Sequence, residues 1–231
     1  MATLDVLTYG FALSTDQGSF GYSTNSLLRA GNNNILVDTG PSSRRPFLVK
    51  SLKAKGLEAA DIDIVVLTHM HWDHCQNTDL FTNARVLVNP TEIDYARSPN
   101  KWDLAVATGM ADMMRNMKVD TVSEGDKIVD GVSVIETPGH TKGHMSVIAD
   151  VNGEKVLLAG DAMPDAAGLF NDEYILMTRQ QKRIGEKELD SLYVIEQRVY
   201  FKDEDKYSFT THPEFKEELK TTEILAHVGK E

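Results

Sequence analysis

Apolar positions in this chain come in short blocks separated by glycine-, asparagine- or aspartate-containing turns, and the period within the blocks changes along the sequence. Residues 4–9, 23–30 and 34–38 read as three strands. The spacing then lengthens to a helical one over 46–55, where Phe47, Leu48 and Leu52 fall on one face and Gly56 supplies the stop. Runs at 62–67 and 84–88 are apolar enough to be strands buried on both faces, and Asn89-Pro90 opens a further helix that continues through Tyr95. From Lys127 the pattern returns to β: 127–129, 132–136, 146–151 and 155–159 are strand-like, hinged at Asp130-Gly131 and at the two-residue hairpin signal Asn152-Gly153. Leu189, Leu192, Ile195 and Val199 recur at helical spacing within 186–200; a strand over 207–211 and a short helix over 214–220 follow. Between the two halves, Met110, Met113, Met114 and Met117 punctuate the 102–119 stretch. Their spacing favours core packing over an adaptable wall facing a substrate.

The order of these blocks predicts an α/β chain built from two similar halves, and the absence of repeats or linkers predicts a single domain over 1–231. A 41% hydrophobic composition is enough for a full core. The formal charge of −11 sets a mean field that repels phosphate backbones, so nucleic acid is not the expected partner. The N-terminal residues lack the pattern of a secretory signal, and no apolar run reaches membrane-spanning length, so the expectation is a cytoplasmic protein without membrane association. With one cysteine, Cys75, the chain cannot form an internal disulfide, and that thiol is expected to be a small packed group.

The chemistry concentrates in Thr68-His69-Met70-His71-Trp72-Asp73-His74, directly after the buried run at 62–67. Three imidazoles and a carboxylate on so short a turn would repel one another when charged and compete for partners when buried. A divalent cation resolves both problems, because it accepts neutral imidazole nitrogen and anionic carboxylate oxygen together. Three further candidates lie at the ends of strand-like runs: His140 in Thr137-Pro138-Gly139-His140-Thr141, Asp161 in Gly160-Asp161-Ala162, and His212 after 207–211. Strand ends are where α/β sites assemble, so these residues can converge on the first cluster.

With these motifs in hand, the chain resembles the metallo-β-lactamase superfold of metal-dependent hydrolases. The resemblance rests on Val37-Asp38-Thr39-Gly40, on the HxHxDH pattern of His69, His71, Asp73 and His74, on Thr137-Pro138-Gly139-His140-Thr141, on Leu158-Ala159-Gly160-Asp161 and on His212, all in family order. It implies an αβ/βα four-layer sandwich with a binuclear metal centre at its edge. By that analogy His69, His71 and His140 hold one ion, Asp73, His74 and His212 hold the second, and Asp161 bridges them. The implied cofactors are two divalent ions, zinc ahead of iron or manganese. A metal-bridging hydroxide would be the nucleophile, with Asp73 orienting it as the catalytic residue. The resemblance also makes Asp38 a brace for the metal loops. His144 corresponds to a family position that is not a ligand and is read as a hydrogen-bonded histidine beside the site.

The His71-Trp72-Asp73-His74-Cys75 form looks like the branch containing N-acyl homoserine lactonases and related esterases, which implies hydrolysis of an ester, lactone or related carboxylic-acid derivative on a small molecule. Those lactonases commonly carry a tyrosine three residues after the bridging aspartate. This chain has Pro164 there, with Tyr174 as a substitute donor. Two alternatives within the superfold are a phosphodiesterase or nuclease, disfavoured by the acidic balance, and a mononuclear iron oxygenase acting on thiol persulfides. A homodimer is left open.

Overall fold

The protein is described here by a computed structural model covering residues 2–10, 14–15, 18–19, 21–101, 103–107, 109–162, 192–195, 200–202 and 206–208. The first sheet begins with strand β1 (Thr3–Thr8). After a small ladder of β2 (Ser14–Thr15) and β3 (Gly18–Ser19) come β4 (Asn25–Ala30) and β5 (Asn33–Val37). Helix α1 (Arg45–Ala54), strand β6 (Ile64–Val66), the single turn α2 (Trp72–Cys75), strand β7 (Arg85–Val88) and helix α3 (Pro90–Arg97) follow. The short helix α4 (Met110–Met113) leads to β8 (Lys118–Thr121). These strands form a six-stranded sheet in the order β1-β4-β5-β6-β7-β8, antiparallel through β5 and parallel from there on.

The second sheet contains β9 (Lys127–Val129), β10 (Val132–Glu136), β11 (Met145–Val151), β12 (Glu154–Leu158) and β13 (Leu192–Ile195), with a separate hairpin of β14 (Tyr200–Lys202) and β15 (Lys206–Ser208). Its order is β13-β12-β11-β10-β9. The turn between β11 and β12 places Asn152 and Gly153 at φ 53° and 91°, the left-handed pair that the Asn-Gly dipeptide predicts.

Period-two alternation decides which side chain faces which layer. Leu28, Ile35, Val37, Ile64, Val66 and Leu87 point from the first sheet into a core shared with Val132, Val134, Met145, Val147, Val156 and Leu158 of the second. Their neighbours Leu27, Leu36, Val65, Val86 and Val88 point the other way and pack with Leu48 and Leu52 of α1 in a second core. The described residues therefore give a helical layer, a sheet and a facing sheet, an α/β sandwich. Replacing Leu158, fully buried between the sheets, with alanine is expected to cost about 2–5 kcal/mol in urea unfolding.

Several elements differ from the sequence reading. Residues 186–200 carry helical spacing, yet Leu192–Ile195 is a strand, paired in parallel with β12 from Lys155↔Leu192 to Leu158↔Ile195. The run Leu-Tyr-Val-Ile is rich in β-formers, and pairing satisfies the edge of β12, which outweighs a periodicity of four apolar positions. Phe47 is 53% exposed rather than in the core. The Arg44 guanidinium lies 4.3 Å from the Phe47 ring centre and 4.3 Å from that of Tyr22, so the aromatic face is covered by a cation. The methionine stretch divides: Met110 and Met114 are buried in the helix-side core, whereas Met113 is 42% exposed. Among the described residues the last strand is Lys206–Ser208, and most of the strand expected over 207–211 and the helix expected over 214–220 lie outside them.

Candidate metal centre

Five strands end at one edge of the sandwich, and the loop after each brings a polar side chain to it. Asp38 follows β5, the 68–75 loop follows β6, Glu92 sits in the first turn of α3 after β7, His140 follows β10 and Asp161 follows β12. The two sheets are tied together at this edge by the backbone N–H of Met145, which donates to the Thr68 carbonyl at 2.9 Å.

Asp38 organises the first loop. Its backbone is left-handed, with φ 58°, which turns the carboxylate back under the loop. There it accepts from the Thr68 N–H at 2.8 Å, from the Thr68 hydroxyl at 2.8 Å, and from Nδ1 of His74 at 2.8 Å. The Thr68 oxygen also lies 3.0 Å from Nδ1 of His69. A carboxylate can only accept, so His74 holds its proton on Nδ1. With the Thr68 proton committed to Asp38, His69 donates from Nδ1 as well. Both rings consequently turn a bare Nε2 lone pair into the site. Both Nε2 atoms are buried and have no hydrogen-bond partner among the described residues.

Two sets of donors converge on these lone pairs. His69, His71 and His140 place one ligand atom each within 4.8 Å of one another, and so do His69, His74 and Asp161. The His74 Nε2 lone pair faces an Asp161 carboxylate oxygen at 3.3 Å, an arrangement of two acceptors that requires a proton or a cation between them. Nε2 of His140 is 2.9 Å from Nδ1 of His71 and 3.2 Å from Asp161. Burial, and then the neighbouring imidazoles of His74, His71 and His140, hold the His69 pKa well below the ordinary imidazole range. It is therefore neutral and able to ligate at physiological pH. The donor set, nitrogen with carboxylate oxygen, suits a zinc-like divalent ion.

Asp73 stands beside these sets rather than within them, its Oδ2 3.7 Å from Nε2 of His74. His212, Pro164 and Tyr174 lie outside the described residues. Cys75 is fully buried in the helix-side core and belongs to neither set; burial raises its thiol pKa, in keeping with a packed group.

His144 is a brace. Its Nδ1 meets the Thr137 hydroxyl at 2.8 Å, and its Nε2 accepts the Asp161 N–H at 3.1 Å, which holds the turn that aims Asp161. That turn depends on Gly160 at φ 56°, where a Cβ would come within 2.8 Å of His144 Nε2 and 2.9 Å of the Thr68 Cβ.

Sequence reasoning passed over two carboxylates. Glu92, fully buried, accepts from the Met70 N–H at 2.9 Å, the Thr141 hydroxyl at 2.7 Å and the Gly143 N–H at 3.0 Å, so one side chain holds both the 68–75 loop and the 137–144 loop. Burial raises its pKa despite these three donors. Asp103 accepts from His71 Nε2 at 3.1 Å, from the Tyr95 hydroxyl at 2.6 Å and from the Ala105 N–H at 3.1 Å. Burial works to raise its pKa, but the Tyr95 and His71 hydrogen bonds outweigh that and hold the carboxyl below its ordinary range. Neither residue belongs to a motif, although Glu92 in the first turn of a proline-started helix after a strand was a visible cue. A cleft of about 610 Å³ opens beside His140, with Tyr95, Asn100 and Lys142 on its walls.

The sequence model of the metallo-beta-lactamase superfamily matches residues 18–204. The chain belongs to that superfamily. This superfamily member is 30% identical over 149 residues to a probable metallo-hydrolase of Methanocaldococcus jannaschii, a match spanning 62% of the chain and 69% of that relative. It is 25% identical over 168 residues to an N-acyl homoserine lactonase of a Bacillus species, spanning 69% of the chain and 65% of that enzyme. In three dimensions it superimposes on a Bacillus thuringiensis structure with N-decanoyl-L-homoserine bound at the active site, with a TM-score of 0.68, 21% identity, and coverage of 85% of this chain and 92% of that one. The fold expected from the motifs is thus the fold observed. Among the described residues, no helix is long and apolar enough to cross a membrane.

Proposed function

We propose that this superfamily member is a metal-dependent hydrolase of a small-molecule ester, lactone or related carboxylic-acid derivative. Its metal ligands would be His69, His71, Asp73, His74, His140, Asp161 and His212. The observation that carries this reading is the convergence of buried Nε2 lone pairs on His69 and His74, neither of which has a hydrogen-bond partner among the described residues, beside the Asp161 carboxylate. His69, His71 and His140 would hold one ion; His74, with Asp73 and His212, would hold the other, and Asp161 would lie between. Two divalent ions, zinc first, supply a water acidified toward neutral pH and a Lewis acid for the carbonyl oxygen.

The chain's own residues do the rest. Asp38 fixes which nitrogen faces inward, directly for His74 and through Thr68 for His69, and His144 fixes the angle of Asp161. Asp73, whose Oδ2 lies 3.7 Å from Nε2 of His74, would orient the attacking hydroxide as well as ligate. The cleft beside His140 admits the substrate. The similarity to an N-acyl homoserine lactonase supports a lactone or ester over a phosphodiester, and the acidic balance of the chain supports the same choice.

Metal analysis of the purified protein, combined with a panel of lactone, aryl ester, thioester, β-lactam and phosphodiester substrates, tests the reading. Two zinc ions per chain with turnover of a lactone or ester are expected. A single iron with no hydrolysis would overturn it in favour of an oxygenase.

A further inference from the structure

Asp103 lies outside every motif, on the segment after α3, yet it touches the three-histidine set directly. We infer that Asp103 is a positioning residue of the metal centre: it accepts the Nε2–H hydrogen bond of His71 and so commits that ring to ligation through Nδ1. The inference rests on the metal-centre reading above.

The geometry of His71 leaves one assignment. Nε2 is 3.1 Å from Asp103 Oδ2, an atom that can only accept, so the ring proton resides on Nε2. Nδ1 is then the lone-pair nitrogen, and it points at Nε2 of His140, 2.9 Å away, inside the set that includes His69. A carboxylate on the far nitrogen fixes an imidazole's tautomer and orientation and increases its basicity as a ligand.

Asp103 is itself held. The Tyr95 hydroxyl donates to the oxygen that His71 uses, and the Ala105 N–H donates to the other. The segment carrying it is laced to the metal loop by Trp72 N–H to the Ala105 carbonyl at 2.8 Å and Ala107 N–H to the Met70 carbonyl at 3.2 Å, flanking a bridge between His71 and Val106. The carboxylate and the ring therefore cannot drift apart without breaking backbone pairing.

The arrangement also predicts selectivity. Asp38 orients His69 and His74 together, and His69 belongs to both donor sets, so a change at Asp38 disturbs both. Asp103 contacts His71, which belongs to the three-histidine set alone. Losing the Asp103 charge should weaken one metal and spare the other.

The test is a zinc titration against a chromophoric chelator on wild type, Asp103→Asn and Asp103→Ala, with the tautomer of His71 read from long-range proton–nitrogen NMR of histidine-labelled, metal-free protein. Asparagine keeps an oxygen for the Ala105 N–H but removes the charge. Both variants are expected to weaken one of the two zinc affinities about 10–100-fold, with the other unchanged within about twofold. The His71 signal should lose its fixed Nε2–H form. Wild-type affinities in Asp103→Asn, or an equal fall in both affinities, would reduce Asp103 to a loop cap and overturn the inference. If wild type binds no zinc, the metal-centre reading fails instead, and an unchanged His71 tautomer in metal-free Asp103→Asn would separately reject the positioning role.

Discussion

Replacing His69 with alanine is expected to empty the three-histidine position, taking zinc content from two per chain to one and hydrolysis down by about three orders of magnitude or more. The family analogy gives His69 to one ion only, which predicts loss of half the metal. The geometry agrees: with its Nδ1 facing the Thr68 oxygen, His69 has a single bare nitrogen, Nε2, whose one lone pair can serve one ion, although that atom lies close to both donor sets. The variant also leaves the Thr68 hydroxyl and the Asp38 carboxylate in place, so the loop retains its internal hydrogen bonds and the chain should stay folded. Metal content by mass spectrometry with a rate measured on the best substrate of the panel checks both halves. Retention of both zinc ions would show that the three-histidine side binds without His69.

Gly143→Ala is expected to be the most destabilising single methyl group the fold could receive near the site. A Cβ at Gly143 would sit 2.1 Å from the backbone nitrogen of Glu92 and 2.6 Å from its Cα, distances that real side chains do not reach. The obstacle is backbone, so rotating a side chain cannot relieve it. The 137–144 loop and α3 must separate, which adds overpacking strain to the loss of the Gly143 N–H and Thr141 hydroxyl bonds to Glu92. Together these should cost about 3–5 kcal/mol. A fall in melting temperature of well over ten degrees, or failure to accumulate as folded protein, is the expected result, measured by calorimetry. A melting temperature within a few degrees of wild type would show that the two elements are not held this closely. Gly160 differs in kind: its limit is a left-handed φ of 56° together with side-chain neighbours.

Much of this site could be read from the chain alone. The HxHxDH cluster, His140 and Asp161 each follow an apolar strand, and strands end where the polypeptide can expose a side chain without burying unpaired backbone. The family resemblance, rather than strand ends, makes Asp38 a brace and His144 a hydrogen-bonded neighbour, and both have those hydrogen bonds here. Glu92 and Asp103 were not legible, because the contacts that tie them to the metal loop, to Met70 and to His71, span 22 and 32 positions of the chain and no local period marks them. The strand at Leu192–Ile195 was missed for a related reason. Its helical spacing is a local signal, whereas the vacancy it fills at the edge of β12 is created by residues some thirty-five positions earlier.

The hydrogen bond from Met145 to Thr68 has an implication for how the site comes into being. His69 and His74 ride on the first sheet, and His140 and Asp161 on the second, with that bond as the stitch between them. Neither half carries a complete donor set, so ion binding would be withheld until the sheets have docked. An ion bound there would act as a rivet across the sandwich, and chelation should loosen the seam between the halves before either half melts.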